Sequence, residues 1–414
     1  MRHTVEHLKV LVAGHLDHGK STLIGRLLVD TRSWPRERLA ALDQIGRELG
    51  VEAELAFLVD QLKEERLQGR TMDMTQVLIK AAHRSYVFID APGHTELIHN
   101  MLTAASRAQV ALLVVAADEG IKEQTRKHAF LIHMLDIKSV ITVITKMDVV
   151  NYKEDRFQKI NQDVAGVLDR LNMKALSSVP VSAKGGDNIS DRSRCMTWHQ
   201  GPCLLQALDE VSIPFQEDRK PLRVSVQDVY PHGTQTIVVG RIESGVIRKG
   251  QSVKIHPGAR ESKIERLMMF EKPWVFKAAK GENPGLILAN SAGVKRGEMI
   301  VDQDPVESTQ RFKANVFWIG PEVWIIGMKM TLRCGTQEAP VEIESITRRI
   351  DPARLDIVED ADDHLGIQEA AEIVLRADNP LVLEKFSFIE PLGRFIIENN
   401  NVIQGVGIVT QTGL

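Results

Sequence analysis

The sequence predicts an α/β domain with a mainly parallel sheet and helices on both faces, followed by two all-β barrel domains. Up to about residue 208, short apolar runs alternate with helical patterns, which is typical of strand–helix units. After residue 213 this alternation ends, and short strands separated by turn glycines take its place. We therefore expect three domains, at residues 1–213, 214–305 and 306–414.

The composition excludes several broad classes of protein. The 414 residues include 52 Lys and Arg against 55 Asp and Glu, so the total charge shows no general affinity for polyanions. Three scattered cysteines are too few for a disulfide framework or a zinc site, which is typical of a reducing compartment. The longest wholly apolar run, Val110 to Ala117, is too short to cross a bilayer, and the N-terminus lacks the shape of a signal peptide. We expect a soluble cytoplasmic protein that binds neither membranes nor DNA.

A glycine-rich turn follows the first apolar run and leads into a predicted helix. Its sequence GHLDHGKS has the GxxxxGKS spacing of a phosphate-binding loop (P-loop). Gly14 and Gly19 allow consecutive N–H groups to point at phosphate oxygens, and the helix adds the positive end of its dipole. We expect Lys20 to reach the β- and γ-phosphates and the Ser21 hydroxyl to bind Mg²⁺. The other predicted nucleotide-binding residues of this region are His15, Asp17, His18 and Thr22.

Three further motifs directly follow predicted strands. They are DAPGH at residues 90–94, TKMD at 145–148 and SAK at 182–184. Ligands of parallel sheets bind at the carboxyl ends of the strands, so we expect these motifs to share one site with the phosphate-binding loop. Asp90 is predicted to hold Mg²⁺ through water, and Gly93 to donate its N–H to the γ-phosphate.

The choice of base follows from the carboxylate of Asp148. Guanine presents its N1–H and N2–H₂ donors side by side, and one carboxylate can accept both, whereas adenine lacks this pair. The stem of Lys146 can lie along the base, and the Ala183 N–H can reach O6. An Asp at this position is also a common helix cap, but the neighbouring motifs favour GTP and GDP as ligands. Thr145, Ser182 and Lys184 complete the predicted nucleotide-binding set.

In this order, the motifs resemble those of the translation-factor GTPases, the superfamily of elongation factor Tu and elongation factor 1-alpha. EERLQGRT, at residues 64–71, completes the set of five motifs, and the similarity extends through the whole chain. The resemblance implies that Thr71 binds Mg²⁺ only when the γ-phosphate is present, and that His94 positions the attacking water. A loop held by one metal ligand can order and release, which agrees with the first role. Without the resemblance, a helix-capping or surface histidine is the less favoured alternative for His94.

Two positions depart from the family pattern. Thr145 stands where the family usually has Asn, so a hydroxyl replaces an amide that braces the phosphate-binding loop. We expect this to cost about 1 kcal/mol of nucleotide affinity without changing the base. Arg70 stands where the family has an apolar residue that, with the one at Leu16, screens the histidine from water. Arg70 either loosens control of His94, acts as a catalytic arginine finger in cis, or is a solvated loop arginine.

The second half of the chain predicts two β-barrels. Turn glycines such as Gly250 and Gly258 separate short strands, and Phe312, Ala314 and Val316 alternate along one face of a later strand. The pieces GRIESGVIRKG and LGRFIIE resemble the second and third barrels of the same superfamily.

Within the superfamily, the contexts STLIGRLL, QTRKHAFL, FWIG and TWHQGPCLLQAL resemble the GTPase subunit of ATP sulfurylase, a sulfate adenylyltransferase. This resemblance implies a separate catalytic nucleotidyl-transfer subunit as the partner. The alternative is a specialised elongation factor that delivers aminoacyl-tRNA to the ribosome. Residues 306–414 contain 17 Asp and Glu against 10 Lys and Arg, a balance poorly suited to tRNA phosphates. A nucleotide-gated scaffold with negligible turnover is a third interpretation, kept open by Arg70 and Thr145.

Overall fold

The structure is a computed structural model of the chain. It describes residues 7–33, 55, 76–90, 108–212, 220–233, 235–269, 272–302, 306, 308–358 and 363–414. The chain divides into two compact units, which are Met1–Ile213 with Pro352–Leu355 and Pro214–Asp351 with Asp356–Leu414.

The first unit is built on a six-stranded sheet. Among the described strands, one edge strand runs antiparallel to its neighbour and the rest are parallel. Near-continuous burial of the central strands is typical of a parallel sheet covered on both faces, which confirms the predicted α/β class. In spatial order the strands are β2 (Gln76–Lys80, the antiparallel edge), β3 (Ser85–Asp90), β1 (Leu8–Gly14), β4 (Val110–Ala116), β5 (Ser139–Thr145) and β6 (Ala175–Pro180).

Helices follow the strands of this sheet. Phe157, Ile160 and Val164 lie at helical spacing, and all three are buried, as the apolar stripe predicts. Among the described residues, no helix is both long and apolar enough to cross a membrane. The helices whose bounds the structure describes are α1 (Lys20–Asp30), α2 (Glu123–Met134), α3 (Glu154–Arg170) and α4 (Leu204–Asp209).

The second unit begins with an antiparallel barrel. Six strands in the order β10-β15-β7-β8-β14-β11 close through the pairing of β10 with β11, and β12 adds to the edge at β11. The strands are β7 (Arg223–His232), β8 (Gln235–Ser244), β9 (Val246–Arg248), β10 (Ser252–His256), β11 (Arg260–Met269), β12 (Lys272–Val275), β13 (Lys277–Ala279), β14 (Gly285–Leu288) and β15 (Met299–Val301), of which β9 and β13 form a separate pair.

A second antiparallel barrel follows. Its order is β18-β23-β24-β16-β22-β19, closed by β18 with β19, and this second closure confirms the predicted architecture of one α/β domain and two barrels. Its elements are β16 (Ser308–Trp318), β17 (Trp324–Ile325), β18 (Met330–Cys334), β19 (Gln337–Asp351), β20 (Asp356–Ile357), β21 (His364–Leu365), β22 (Ala370–Val382), α5 (Glu390–Gly393), β23 (Arg394–Asn399) and β24 (Val402–Thr412).

A buried ion-pair group joins the two barrels. The side chain of Arg223 is only 3% exposed, with Nη1 at 3.2 Å from an Asp302 oxygen and Nη2 at 2.9 Å from a Glu384 oxygen. Apolar residues of both barrels, including Val301 and Val382, form a cluster of their own. Because both barrels lie in one compact unit, the boundary expected at residue 305 stays a prediction.

Candidate nucleotide-binding site

The carboxyl ends of the parallel strands form one edge of the sheet in the first unit. Asp90 at the end of β3 lies level with Val12 of β1, and Thr145 at the end of β5 lies level with Ala116 of β4. The glycine-rich loop after β1, the TKMD loop after β5 and the SAK loop after β6 therefore leave the sheet at this same edge. This edge is where parallel sheets bind their ligands.

The loop between β1 and α1 requires glycine at two positions. A Cβ on Gly14 would lie 2.3 Å from the backbone oxygen of Val114, so a side chain there has no space. Gly19 has a φ of 82°, in the left-handed region that favours glycine. Lys20 Nζ donates to the carbonyl oxygens of Gly14 at 2.8 Å and His15 at 2.7 Å, so the ammonium group lies over the loop.

The start of α1 is suited to an anion. Gly19, which precedes the helix, provides no side-chain cap, and backbone N–H groups in the first turn of a helix can bind an anion. Ser21 and Thr22 lie in that first turn and are half-buried. Asp17 stands in the loop before it, with a φ of 58°.

A hydroxyl and a carboxylate at this edge suit a magnesium ion. Ser21 begins α1, and Asp90, only 9% exposed, ends the strand beside β1. Mg²⁺ prefers oxygen ligands and usually takes one or two from the protein, with phosphate oxygens and water completing its shell. The residues present therefore fit this ion.

Two histidines of the phosphate-binding loop pack against each other. The ring of His18 is fully buried and stands edge-on to that of His15, with 5.1 Å between ring centres. His15 Nδ1 lies 2.7 Å from Gln124 Oε1. Burial lowers the pKa of His18 to about 4 and the pKa of His128 to about 3. Both imidazoles are therefore neutral at neutral pH, and they add no positive charge to that of Lys20.

Thr145 does brace the phosphate-binding loop. Its hydroxyl is buried and donates to the backbone oxygen of His18 at 2.7 Å, with the Val115 oxygen further away at 3.4 Å. From the sequence we expected that Thr145, in place of the family's Asn, would weaken the brace on this loop. The hydroxyl instead supplies a hydrogen bond of its own.

The loop after β5 holds Lys146 beside Asp148. Lys146 has a φ of 57°, and its Nζ lies 3.5 Å from an Asp118 oxygen and 3.7 Å from a Glu119 oxygen. Arg156 of α3 donates from Nη2 to the Asp118 backbone oxygen at 2.9 Å. The ion pairs of Lys146 thus tie the loop after β5 to the loop after β4, and Asp148 in the loop after β5 is half-buried.

The loop after β6 lies against the loop after β5. Met147 N donates to the Val181 oxygen at 3.2 Å. Ser182 is fully buried and Ala183 is 7% exposed, whereas Lys184 is on the exposed side of the turn. The structure thus brings Asp148 and Ala183 onto adjacent loops.

Four predicted site residues lie outside the described residues. They are Arg70, Thr71, Gly93 and His94, so the predicted water-positioning and switch roles stay predictions.

Other residues near the site were not found from the sequence. Asp187 continues the SAK motif as SAKGGDN, and that continuity was a usable signal. Tyr152, Trp198 and Arg156 have no local motif, because their importance comes from contacts between segments that are 30 or more residues apart. His128 is one buried position of an ordinary helix in the sequence.

Comparison with known proteins covers all three domains. A family model described as "Elongation factor Tu GTP binding domain" matches residues 5–214, "Elongation factor Tu domain 2" matches residues 235–301, and "GTP-eEF1A C-terminal domain-like" matches residues 311–410. The chain is 36% identical over 417 residues to elongation factor 1-alpha of Pyrococcus furiosus, with 97% of each chain covered. It is 35% identical to that of Thermococcus onnurineus, again with 97% of each covered. A crystal structure of Sup35 complexed with GDP covers 99% of this chain and 95% of its own, at 23% identity and a TM-score of 0.47.

Proposed function

This chain belongs to the elongation factor Tu and elongation factor 1-alpha superfamily of GTPases, and from this premise we propose that it is a GTP-hydrolysing molecular switch. The observation that carries the proposal is the common sheet edge. There a phosphate-binding loop crossed by Lys20 lies near an adjacent pair of loops that present Asp148 and Ala183. The triphosphate and the guanine are thereby recognised by loops that follow different strands of the same sheet.

The phosphate end of the site works by charge and by backbone geometry. In the proposed complex, Lys20 exchanges its two carbonyl acceptors for oxygens of the β- and γ-phosphates. Ser21 and Asp90 would hold Mg²⁺, which when bound neutralises charge on the phosphates. The N–H groups at the start of α1 point at the same anion.

Hydrolysis needs a positioned water, and the residues proposed for it come from the family resemblance. By that resemblance, His94 would orient the water, and Thr71 would be a ligand of Mg²⁺ when the γ-phosphate is present. Arg70 is either an arginine finger in cis, a side chain that loosens control of His94, or a solvated residue. Single-turnover GTP hydrolysis by Arg70→Ile distinguishes these roles, because only a solvated arginine leaves the rate unchanged.

Calorimetry on the nucleotide-stripped full chain tests the function itself. With Mg²⁺ present, we expect heats of binding for GTP and GDP and much weaker binding of ATP. Tighter binding of ATP than of GTP, or no heat with any guanine nucleotide, would overturn the proposal.

Two kinds of partner are candidates for this chain, and different observations favour each of them. The relatives reported above are named elongation factor 1-alpha, which favours aminoacyl-tRNA and the ribosome. The acidic balance of residues 306–414 and the sequence contexts favour a catalytic nucleotidyl-transfer subunit of sulfate adenylyltransferase type. Of the two, we propose the elongation-factor role, because the relatives match over the full length of this chain.

Affinity capture from native lysate separates these partners. The chain is loaded with a non-hydrolysable GTP analogue in one sample and with GDP in the other. GTP-dependent retention of aminoacyl-tRNA supports the elongation-factor role. Retention of an adenylyl-transferring protein without tRNA contradicts it in favour of the sulfurylase-type role.

A further inference from the structure

Several hydrogen bonds meet at Tyr152, just after the loop that carries Asp148. Tyr152 N donates to the Met147 oxygen at 2.8 Å, and the indole Nε1 of Trp198 donates to the Tyr152 oxygen at 3.0 Å. The phenol OH donates to Asp187 Oδ2 at 3.3 Å. One residue thus contacts both the loop after β5 and the segment that follows the loop after β6.

The backbone at this point is held in a conformation that bulky residues rarely adopt. Asn151 and Tyr152 have φ values of 53° and 54°. Asn tolerates the left-handed region, but a tyrosine there is uncommon and persists only where its surroundings fix it. The contacts of Tyr152 provide that fixation.

The partners of Tyr152 are anchored in turn. Asp187 Oδ1 accepts from the Ser193 hydroxyl at 2.6 Å, and its backbone closes the turn that begins at Ser182, with N–O distances of 3.1 and 3.3 Å. The Trp198 ring packs on Phe157 of α3, with 5.3 Å between ring centres. Tyr152 is therefore connected to a firmly held turn on one side and to a helix on the other.

We propose that Tyr152 is a positioning residue for guanine recognition. It fixes the Asp148 loop relative to the Ala183 loop, so that the carboxylate and the amide N–H face one base together. The inference rests on the proposed function, because it concerns the same nucleotide. Preorganisation of this kind raises affinity by removing the cost of ordering the loops when the nucleotide binds.

The variant Tyr152→Phe removes one hydroxyl and keeps the ring. Because one hydrogen bond of this kind is lost, we expect GDP to dissociate about five-fold faster, measured with a fluorescent GDP in a stopped-flow instrument. Affinity for GDP should fall more than affinity for IDP, since inosine lacks the 2-amino group with which Asp148 pairs. A purely structural defect would weaken both nucleotides equally.

The chain contains a matched control in its second unit. Tyr230 is exposed and its hydroxyl is hydrogen-bonded to Asp228, so Tyr230→Phe removes a similar bond far along the chain from the site. We expect this variant to release GDP at the wild-type rate. If the hydrogen bond between Tyr152 and Asp187 causes the change in GDP affinity, the double variant Tyr152→Phe, Asp187→Asn should bind GDP no more weakly than the weaker-binding of the two single variants.

The experiments distinguish a failure of the positioning role of Tyr152 from a failure of the proposed nucleotide-binding function. A wild-type chain that binds GDP, together with a folded Tyr152→Phe variant that releases it at the wild-type rate and with the wild-type preference over IDP, overturns the positioning role alone. Thermal unfolding of each variant checks that it is folded. A wild-type chain that does not bind GDP overturns the proposed function instead.

Discussion

Thr145 shows how a single residue can replace a family feature with different chemistry. Its hydroxyl donates to the His18 backbone oxygen at 2.7 Å in a fully buried setting. The variant Thr145→Val keeps the shape and removes the donor, leaving that carbonyl without its brace. We expect the free energy of GDP binding to weaken by about 1 to 2 kcal/mol in calorimetry.

Thr142 provides the control for this prediction. It lies on the same strand and is equally buried, and its hydroxyl has no hydrogen-bond partner among the residues that the structure describes. Thr142→Val should therefore leave GDP affinity unchanged. Equal effects of the two variants would show that the Thr145 hydroxyl is not a specific brace.

Asp148 supports a second prediction at this scale. In Asp148→Asn the amide can donate to the O2 oxygen of xanthine but cannot accept the paired donors of guanine. We expect GDP affinity to fall by a factor of about 100 or more and XDP affinity to rise, measured by competition. Unaltered preference for GDP would mean that another group reads the base.

Two buried histidines, His18 in the phosphate-binding loop and His128 in α2, belong to the scale of one element packing on another. Burial holds the pKa of His18 at about 4 and that of His128 at about 3, below the 6.5 of a free imidazole. As pH falls below 6.5, the unfolded chain takes up protons that the folded chain does not. Stability is therefore fully retained above pH 6.5 and is lost progressively as pH falls toward 4 and then 3, by up to about 1.4 kcal/mol per group and pH unit.

The variant His128→Leu tests this pH dependence. It removes one titrating group from the core, so its stability should fall less steeply than that of the wild type between pH 6.5 and 4. Thermal unfolding followed across this range measures the difference, and the carboxylates common to both proteins cancel. Parallel curves for the two proteins would contradict the assignment.

At the same scale, the sequence predicted whole elements better than the contacts between them. The strands that end at Asp90 and Thr145 and the apolar stripe of α3 follow from periodicity and from motifs at strand ends. The tie between Tyr152 and Asp187 joins residues 35 apart, and that between Trp198 and Tyr152 joins residues 46 apart. Such contacts depend on tertiary packing, for which the local sequence carries no periodic signal.

At the scale of the whole molecule, Arg223 links the two barrels of the second unit. Arg223→Met would leave the carboxylates of Asp302 and Glu384 without their shared guanidinium partner. Since breaking a buried pair on one side is costly, we expect the free energy of unfolding of this unit to fall by about 3 to 5 kcal/mol in denaturant titration. Arg311→Met disrupts the more exposed, solvent-screened pair with Glu344 and should lower the free energy of unfolding far less. Similar losses in the free energy of unfolding for both variants would show that the inter-barrel ion pair contributes no more to stability than the exposed pair.

The close approach of Gly14 to the neighbouring strand β4 connects the phosphate end of the proposed nucleotide site with its base end. A methyl group at that position would meet the Val114 carbonyl at 2.3 Å and push β4 aside. Ala116, two residues further along β4, lies level with Thr145, the first residue of the TKMD motif. A displacement that begins at the phosphate-binding loop would therefore pass sideways through the sheet to the proposed base-binding loop, so the lack of a Cβ at Gly14 keeps the two halves of the proposed site aligned.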